Sequence, residues 1–241
     1  MKLNKLSIII PAYNEAKTIK AVLTNVAELE LIHGIEKEII VVNDCSTDAT
    51  ADEIEAFISE FPTAIVKSFH QTINQGKGAA IHKGIELATG DYIVIQDADL
   101  ELNPADINVL LEGLLNGNAS VVYGSRFLRK DHQNTNFVWH IMGNGFLTKL
   151  SNLFTGFKLT DMMTCYKLVP ADLLKGMKLQ ENRFGFEPEV TLKLSKIKGL
   201  SIQEVPISYI ARNKEEGKKI SSKDGMRVIY CIVKYAVSRS K

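Results

Sequence analysis

The sequence predicts a single α/β domain: a Rossmann-like, mostly parallel sheet flanked by helices, with a C-terminal amphipathic helical extension. Three observations predict it. Short β-branched runs alternate with longer helical patterns through the first half of the chain. The strands are near-continuously apolar, as strands covered on both faces must be. No internal repeat, low-complexity tract or Pro/Gly linker interrupts the 241 residues, so residues 1–241 read as one unit. Its halves differ: about 1–126 is regular, and about 127–241 is less so.

Taken in order, Leu6–Ile10 reads as a strand and Ala16–Leu31 as a helix. Ile39–Val42 and the helix from Asp48 to Phe61 follow, then Ala64–Phe69 and Lys77–Ala88, closed by Gly90. Tyr92–Gln96, Pro104–Leu115 and Ser120–Tyr123 complete the alternation. In the second half Phe137–Phe154 reads as an amphipathic helix, Thr164–Val169 as a strand and Pro188–Ile197 as a helix. Ile202–Ile210 reads as an alternating strand, Asn213–Lys223 as a polar loop, and Asp224–Val237 as a last helix.

In such sheets ligands sit beyond the carboxyl ends of the strands, and polar residues recur there. Asn14-Glu15 follow the first strand, Asn43-Asp44 the second, Asp97–Asp99 the fourth and Gly124-Ser125-Arg126 the fifth. Asp97-Ala98-Asp99-Leu100-Glu101 brings carboxylates to this rim at alternate positions. Hard oxygen donors of this kind suit Mg²⁺ or Mn²⁺, which complete their shells with substrate phosphate. Asp44 is placed to accept from the N–H of a nucleotide base. Asp48 reads as an N-cap. Asn14 is either a cap or, with Tyr13 and Glu15, part of a nucleotide contact. Asn74–Gly78 lacks the spacing of a phosphate loop and reads as a turn entering a helix, which leaves Lys77 an open candidate ligand.

Charge and cysteines narrow the class. The net charge of +1 argues against a nucleic-acid binder. Residues 212–241 nevertheless hold nine Lys/Arg against three Asp/Glu, a basic tail suited to an anion or an anionic surface. Three scattered cysteines match neither a disulfide framework nor a zinc site. The opening residues lack a signal-peptide core and no run of about 18 apolar residues occurs. The expectation is a cytoplasmic chain without a transmembrane segment, peripheral at the cytoplasmic membrane face.

Together, Pro11-Ala12-Tyr13-Asn14-Glu15, Asn43-Asp44-Cys45-Ser46, Asn74–Gly78, Asp97-Ala98-Asp99 and Gly124-Ser125-Arg126 resemble family 2 glycosyltransferases of the GT-A fold. Asp161-Met162-Met163-Thr164-Cys165-Tyr166-Lys167, Phe184–Glu189 and Glu204–Tyr209 are similar to the dolichol-phosphate (polyprenol-phosphate) mannosyltransferase-like branch. The resemblance implies inverting, metal-dependent transfer of a hexose from a nucleotide diphosphate sugar, of the GDP-mannose or UDP-glucose type, to a polyprenyl phosphate. The alternatives are transfer to a saccharide or protein hydroxyl, and a non-catalytic nucleotide-sugar-binding subunit.

Carried over by position, the resemblance implies donor contacts from Pro11, Tyr13, Glu15, Val42, Asp44, Asp97, Ala98 and Asp99. Metal would be held by Asp99 and Glu101 with Asp97 beside them, and phosphates by Arg126, Arg212 and Lys218. It makes residues 1–126 the nucleotide-sugar half and 127–241 the acceptor half. If a general base is required, Asp161, Glu187 and Glu189 are the candidates, the last two reading equally as first-turn helix carboxylates. Two positions depart from the family: Asn43 stands where a second Asp is frequent, and Glu101 where the mannosyltransferases commonly have Gln. Phe137–Phe154 and the last helix suit a membrane interface, core packing or an oligomeric contact equally.

Overall fold

A computed structural model describes residues 3–129, 138–210 and 222–238. Seven strands form one sheet: β1 (Lys5–Ala12), β2 (Glu36–Asn43), β3 (Val66–His70), β4 (Tyr92–Ile95), β5 (Val121–Ser125), β6 (Lys167–Pro170) and β7 (Ile202–Pro206). Their order is β3-β2-β1-β4-β6-β5-β7. Every pairing is parallel except the two made by β6, which runs antiparallel to both β4 and β5.

The reason for a covered sheet lies in the alternation of its apolar side chains. Ile8, Ile10, Ile39 and Val41 face one layer with α1 (Ile19–Glu28), α2 (Thr50–Glu60) and α4 (Asp106–Asn116). Ile9, Ile40 and Val42 face the other, with α3 (Lys77–Leu87), α6 (Ala171–Gly176), α7 (Phe186–Leu194) and α8 (Ser222–Val237). All seven of these strand side chains are essentially buried. Truncating any one to Ala removes contacts on a face that cannot collapse, at a cost of about 2–5 kcal/mol for Ile. The remaining helix, α5 (Val138–Thr155), packs against α7 and α8.

The expected α/β class and mostly parallel sheet hold, with differences at element ends. The first helix starts at Ile19, not Ala16, because Asn14 takes a left-handed φ of 55° and Glu15 turns the chain before the helix begins. The strand expected over 164–169 is limited to Lys167–Pro170, and the alternating strand after 202 stops at Pro206. Helix α6 was not anticipated; six residues are too few to establish a helical period. The expected helix start at Phe137 and most of the Asn213–Lys223 loop lie outside the described residues.

Candidate functional site

The carboxyl ends of β1, β2 and β4 meet at one rim. Among the described residues four non-glycine residues have positive φ, and three of them, Asn14, Cys45 and Leu100, lie in the turns that leave these strands. Backbone strain of this kind persists where the surroundings over-determine it, and it gathers at functional sites. The turns are laced together. The Asn14 carboxamide oxygen accepts from the Thr47 N–H (2.8 Å), and Ser46 Oγ accepts from the Asn14 N–H (3.0 Å). Asp48 accepts from the N–H groups of both Thr50 and Ala16 and so ties two helix entrances together; the N-cap position of α2 is Ala49, one residue after the expected Asp48.

The turn after β4 carries Asp97 and Asp99 and is supported from below. Gln96 is buried, donates to the Asp97 and Leu102 carbonyls, and accepts from the Tyr166 hydroxyl. Thr18 Oγ1 donates to the Ala98 carbonyl at 2.7 Å. Asp97 accepts from Lys77 Nζ at 2.5 Å, and Lys77 also reaches Cys165 Sγ at 3.0 Å. Burial pushes the Asp97 carboxyl up, and Lys77 with the Cys165 thiol more than offsets this, so Asp97 titrates below the usual range. Burial and the Asp97 charge push the Cys165 thiol well up, which keeps it neutral.

Arg126, from the end of β5, adds positive charge to the same neighbourhood. Its Nε and Nη2 donate to Oδ2 and Oδ1 of Asp161 at 2.7 and 2.8 Å. The Arg126 N–H and Asn144 Nδ2 donate to the same carboxylate. Asp161 is fully buried, and its backbone N–H is held by Glu204. Burial acts to raise the Asp161 carboxyl, and Arg126 more than offsets it. A carboxylate saturated by four donors is a poor proton acceptor. Asp161, a candidate if a base is required, thus holds Arg126 in place in this structure. The Arg126 guanidinium carbon is 5.3 Å from the centre of the Tyr209 ring and 5.9 Å from that of Phe127.

The other residues expected at the site divide. Tyr13 is exposed at the rim, and Glu15 and Asp99 are half-buried there. The Val42 side chain is fully buried in the core, and Pro11 is buried beside it in the pairing of β1 with β2. Asp44 accepts from the N–H groups of Gln75 (2.8 Å) and Gly76 (2.7 Å); both its oxygens hold the turn before α3. Glu187 pairs with buried Lys167. Glu189 is fully buried and accepts from the Gln180 and Glu181 N–H groups and from Lys193. Arg212 and Lys218 lie outside the described residues.

Among the described residues, no group of three or more His, Cys, Asp or Glu side chains forms a ready metal cage. Glu101 accepts from the Tyr209 hydroxyl at 2.9 Å, so the expected trio of Asp97, Asp99 and Glu101 is not preassembled. The donor set still fits a hard dication. Mg²⁺ and Mn²⁺ use one or two carboxylates and take further oxygens from substrate phosphates.

Residues 7–177 match the profile of Glycosyl transferase family 2, well over half of the chain. The chain belongs to glycosyl transferase family 2. This family 2 chain is 27% identical over 222 residues to a dolichol-phosphate mannosyltransferase of Pyrococcus furiosus, covering 89% of this chain and 59% of that protein. The match thus spans less than two thirds of that relative's length. A dolichyl-phosphate beta-glucosyltransferase of Trichomonas vaginalis is 29% identical over 246 residues, covering 96% of this chain and 72% of the other. Among solved structures, glucosyl-3-phosphoglycerate synthase from Mycobacterium tuberculosis, in complex with Mn²⁺, UDP and glucosyl-3-phosphoglycerate, superposes with a TM-score of 0.72. It is 21% identical, with 99% of this chain and 82% of that chain covered, a likeness that bears on fold and supports the GT-A architecture.

Several residues of this family 2 site escaped the reading of the sequence. Gln96 and Tyr166 hold the carboxylate turn, Cys165 touches Asp97, Asn144 completes the Asp161 cluster and Tyr209 holds Glu101. The Tyr166 and Cys165 signal was their place in a string already singled out. Asn144, inside a helical pattern, gave none.

Proposed function

We propose that this family 2 chain transfers a hexose from a nucleotide diphosphate sugar to a polyprenyl phosphate, by inverting displacement. One observation carries the choice of acceptor. Asp161, Glu187 and Glu189, the carboxylates available as general base on the acceptor side, are each committed to hydrogen bonds or ion pairs. A hydroxyl acceptor needs such a base. A lipid phosphate does not, because its oxygen is already ionised at neutral pH. The two dolichyl-phosphate relatives support the same reading.

On the donor side, charge on the departing nucleotide diphosphate has to be stabilised. A Mg²⁺ or Mn²⁺ ion held by Asp97 and Asp99 would supply the Lewis acid for that diphosphate. Arg126, pinned by Asp161 and close to two aromatic rings, offers a fixed guanidinium that does not have to reorganise during reaction. Tyr13 and Glu15 serve the nucleotide from the β1 turn, and Asp44 shapes its floor by holding Gln75 and Gly76.

A lipid acceptor also suits the surface of α5 and α8. Met226, Tyr230, Val233 and Val237 form an exposed stripe at helical spacing on α8, and Phe146 and Leu153 are exposed on neighbouring α5. Arg227 and Lys234 border the stripe. Among the described residues no helix is long and apolar enough to cross a membrane. Contact with an anionic membrane surface is the role such a face fits.

The test is a matrix of GDP- and UDP-sugars with Mn²⁺ or Mg²⁺, with and without a polyprenyl phosphate, read as release of nucleotide diphosphate. Release that depends on the lipid phosphate is expected. Release driven equally by saccharide acceptors would overturn the acceptor assignment, and donor binding without release under any condition would overturn catalysis.

A further inference from the structure

Lys77 is the first residue of α3, an eleven-residue helix with no acidic residue in its first turn. A cation at a helix N-terminus opposes the helix dipole, so this position is unfavourable for lysine on local grounds. Its backbone is nonetheless fixed from two sides. Asp44 accepts from the N–H groups of Gln75 and Gly76, and the Asn182 carbonyl accepts from the Ala79 N–H at 3.1 Å. Gly76 has φ of 102°, and a Cβ there would come within 2.6 Å of the Asn182 carbonyl oxygen. Thus fixed, Lys77 sends its ammonium 2.5 Å from Asp97 Oδ1, in the carboxylate pair to which the proposed function assigns the dication.

We propose that Lys77 is a resident counter-ion of Asp97. It leaves the 97–99 turn too weakly charged to hold a divalent cation alone, so that dication and nucleotide diphosphate enter together. The diphosphate brings the negative charge that Lys77 cancels, and it brings the oxygens that the turn lacks, since no three-carboxylate cage exists among the described residues. Cys165, a neutral neighbour of both groups, holds the pair in register without changing its charge. This inference rests on the reading of the turn as a metal–diphosphate site.

The experiment is a titration of Mn²⁺, followed by the electron paramagnetic resonance signal of the free ion. It uses wild type, Lys77→Met and Lys77→Arg, each alone and with UDP or GDP. Wild type should bind Mn²⁺ weakly alone and more than tenfold tighter with nucleotide. Lys77→Met should bind Mn²⁺ alone about tenfold tighter than wild type, because a positive charge beside the carboxylate is gone. Lys77→Arg should match wild type. A merely structural role for Lys77 predicts weaker binding in Lys77→Met, the opposite direction. Equal or weaker binding by Lys77→Met, with nucleotide-dependent binding intact in wild type, overturns the counter-ion proposal alone. Absence of Mn²⁺ binding by wild type even with nucleotide overturns the reading of the turn and this proposal with it. Thermal melts verify folding, and Lys77→Gln carries the same expectation if the Met variant does not fold.

Discussion

Asp161 grips Arg126 through both carboxylate oxygens while buried completely, and the pair joins the loop before β6 to the end of β5. The geometry makes the guanidinium a fixed element of the site, and it makes the carboxylate a support.

Substitution Asp161→Asn keeps the side-chain shape and removes the charge that orients Arg126. We expect kcat to fall by about 10²-fold and stability by about 3 kcal/mol, since a buried charge loses its partner. Steady-state kinetics and thermal melts measure both. A fall in kcat that comes with loss of the acidic limb of the pH profile would restore the general-base role, and a full kcat would contradict both roles.

Acid stability should depend on Glu181. It accepts from Arg227, Lys234 and the Tyr235 hydroxyl on α8. Burial acts to raise its carboxyl and these bonds more than offset that, bringing it down to about 2 from the ordinary 4.5. A depressed folded-state value means the contribution is fully present above about pH 4.5 and lost as pH falls towards 2. Melting temperature should drop through that window in wild type, and Glu181→Gln should flatten the drop while lowering stability at pH 7 by about 2 kcal/mol.

The exposed stripe on α8 should govern membrane contact. Met226→Glu and Val233→Glu alter exposed positions, so stability should change by no more than about 0.5 kcal/mol. Binding to vesicles of anionic phospholipid, followed by sedimentation, should weaken several-fold. Unchanged vesicle binding in the double variant would remove this face from the account.

Gly78 tests the packing that fixes Lys77. A Cβ there would strike the Glu181 carbonyl, a backbone group that cannot move aside cheaply. Gly78→Ala should destabilise by about 1–3 kcal/mol and should raise the KM for the donor, as measured by melts and kinetics.

Much of the architecture was legible because strand and helix periods are local properties of the chain. The rim residues Asp97, Asp99 and Arg126 were legible because each directly follows an apolar strand. Asp161 was singled out, but its contact with Arg126, 35 residues away, was not legible, because sequence spacing carries no information on it. Val42 was placed by resemblance at a position that faces the core, and one residue along a strand reverses the face. Asp44 was read as reaching a base; its hold on a turn 31 and 32 residues on was not legible, because that contact is set by the fold. The reversed strand β6 could not be inferred, since its direction depends on which neighbours it pairs with.

The central claim, sugar transfer to a lipid phosphate through the Asp97–Asp99 turn, is tested most directly by following radiolabelled sugar from donor into the organic phase with polyprenyl phosphate. The account predicts label in a glycosyl phosphate lipid with wild type, none with Asp99→Ala, and an unchanged melting temperature in that variant. Equal transfer by Asp99→Ala, or label that never enters the lipid with any GDP- or UDP-sugar, would contradict it.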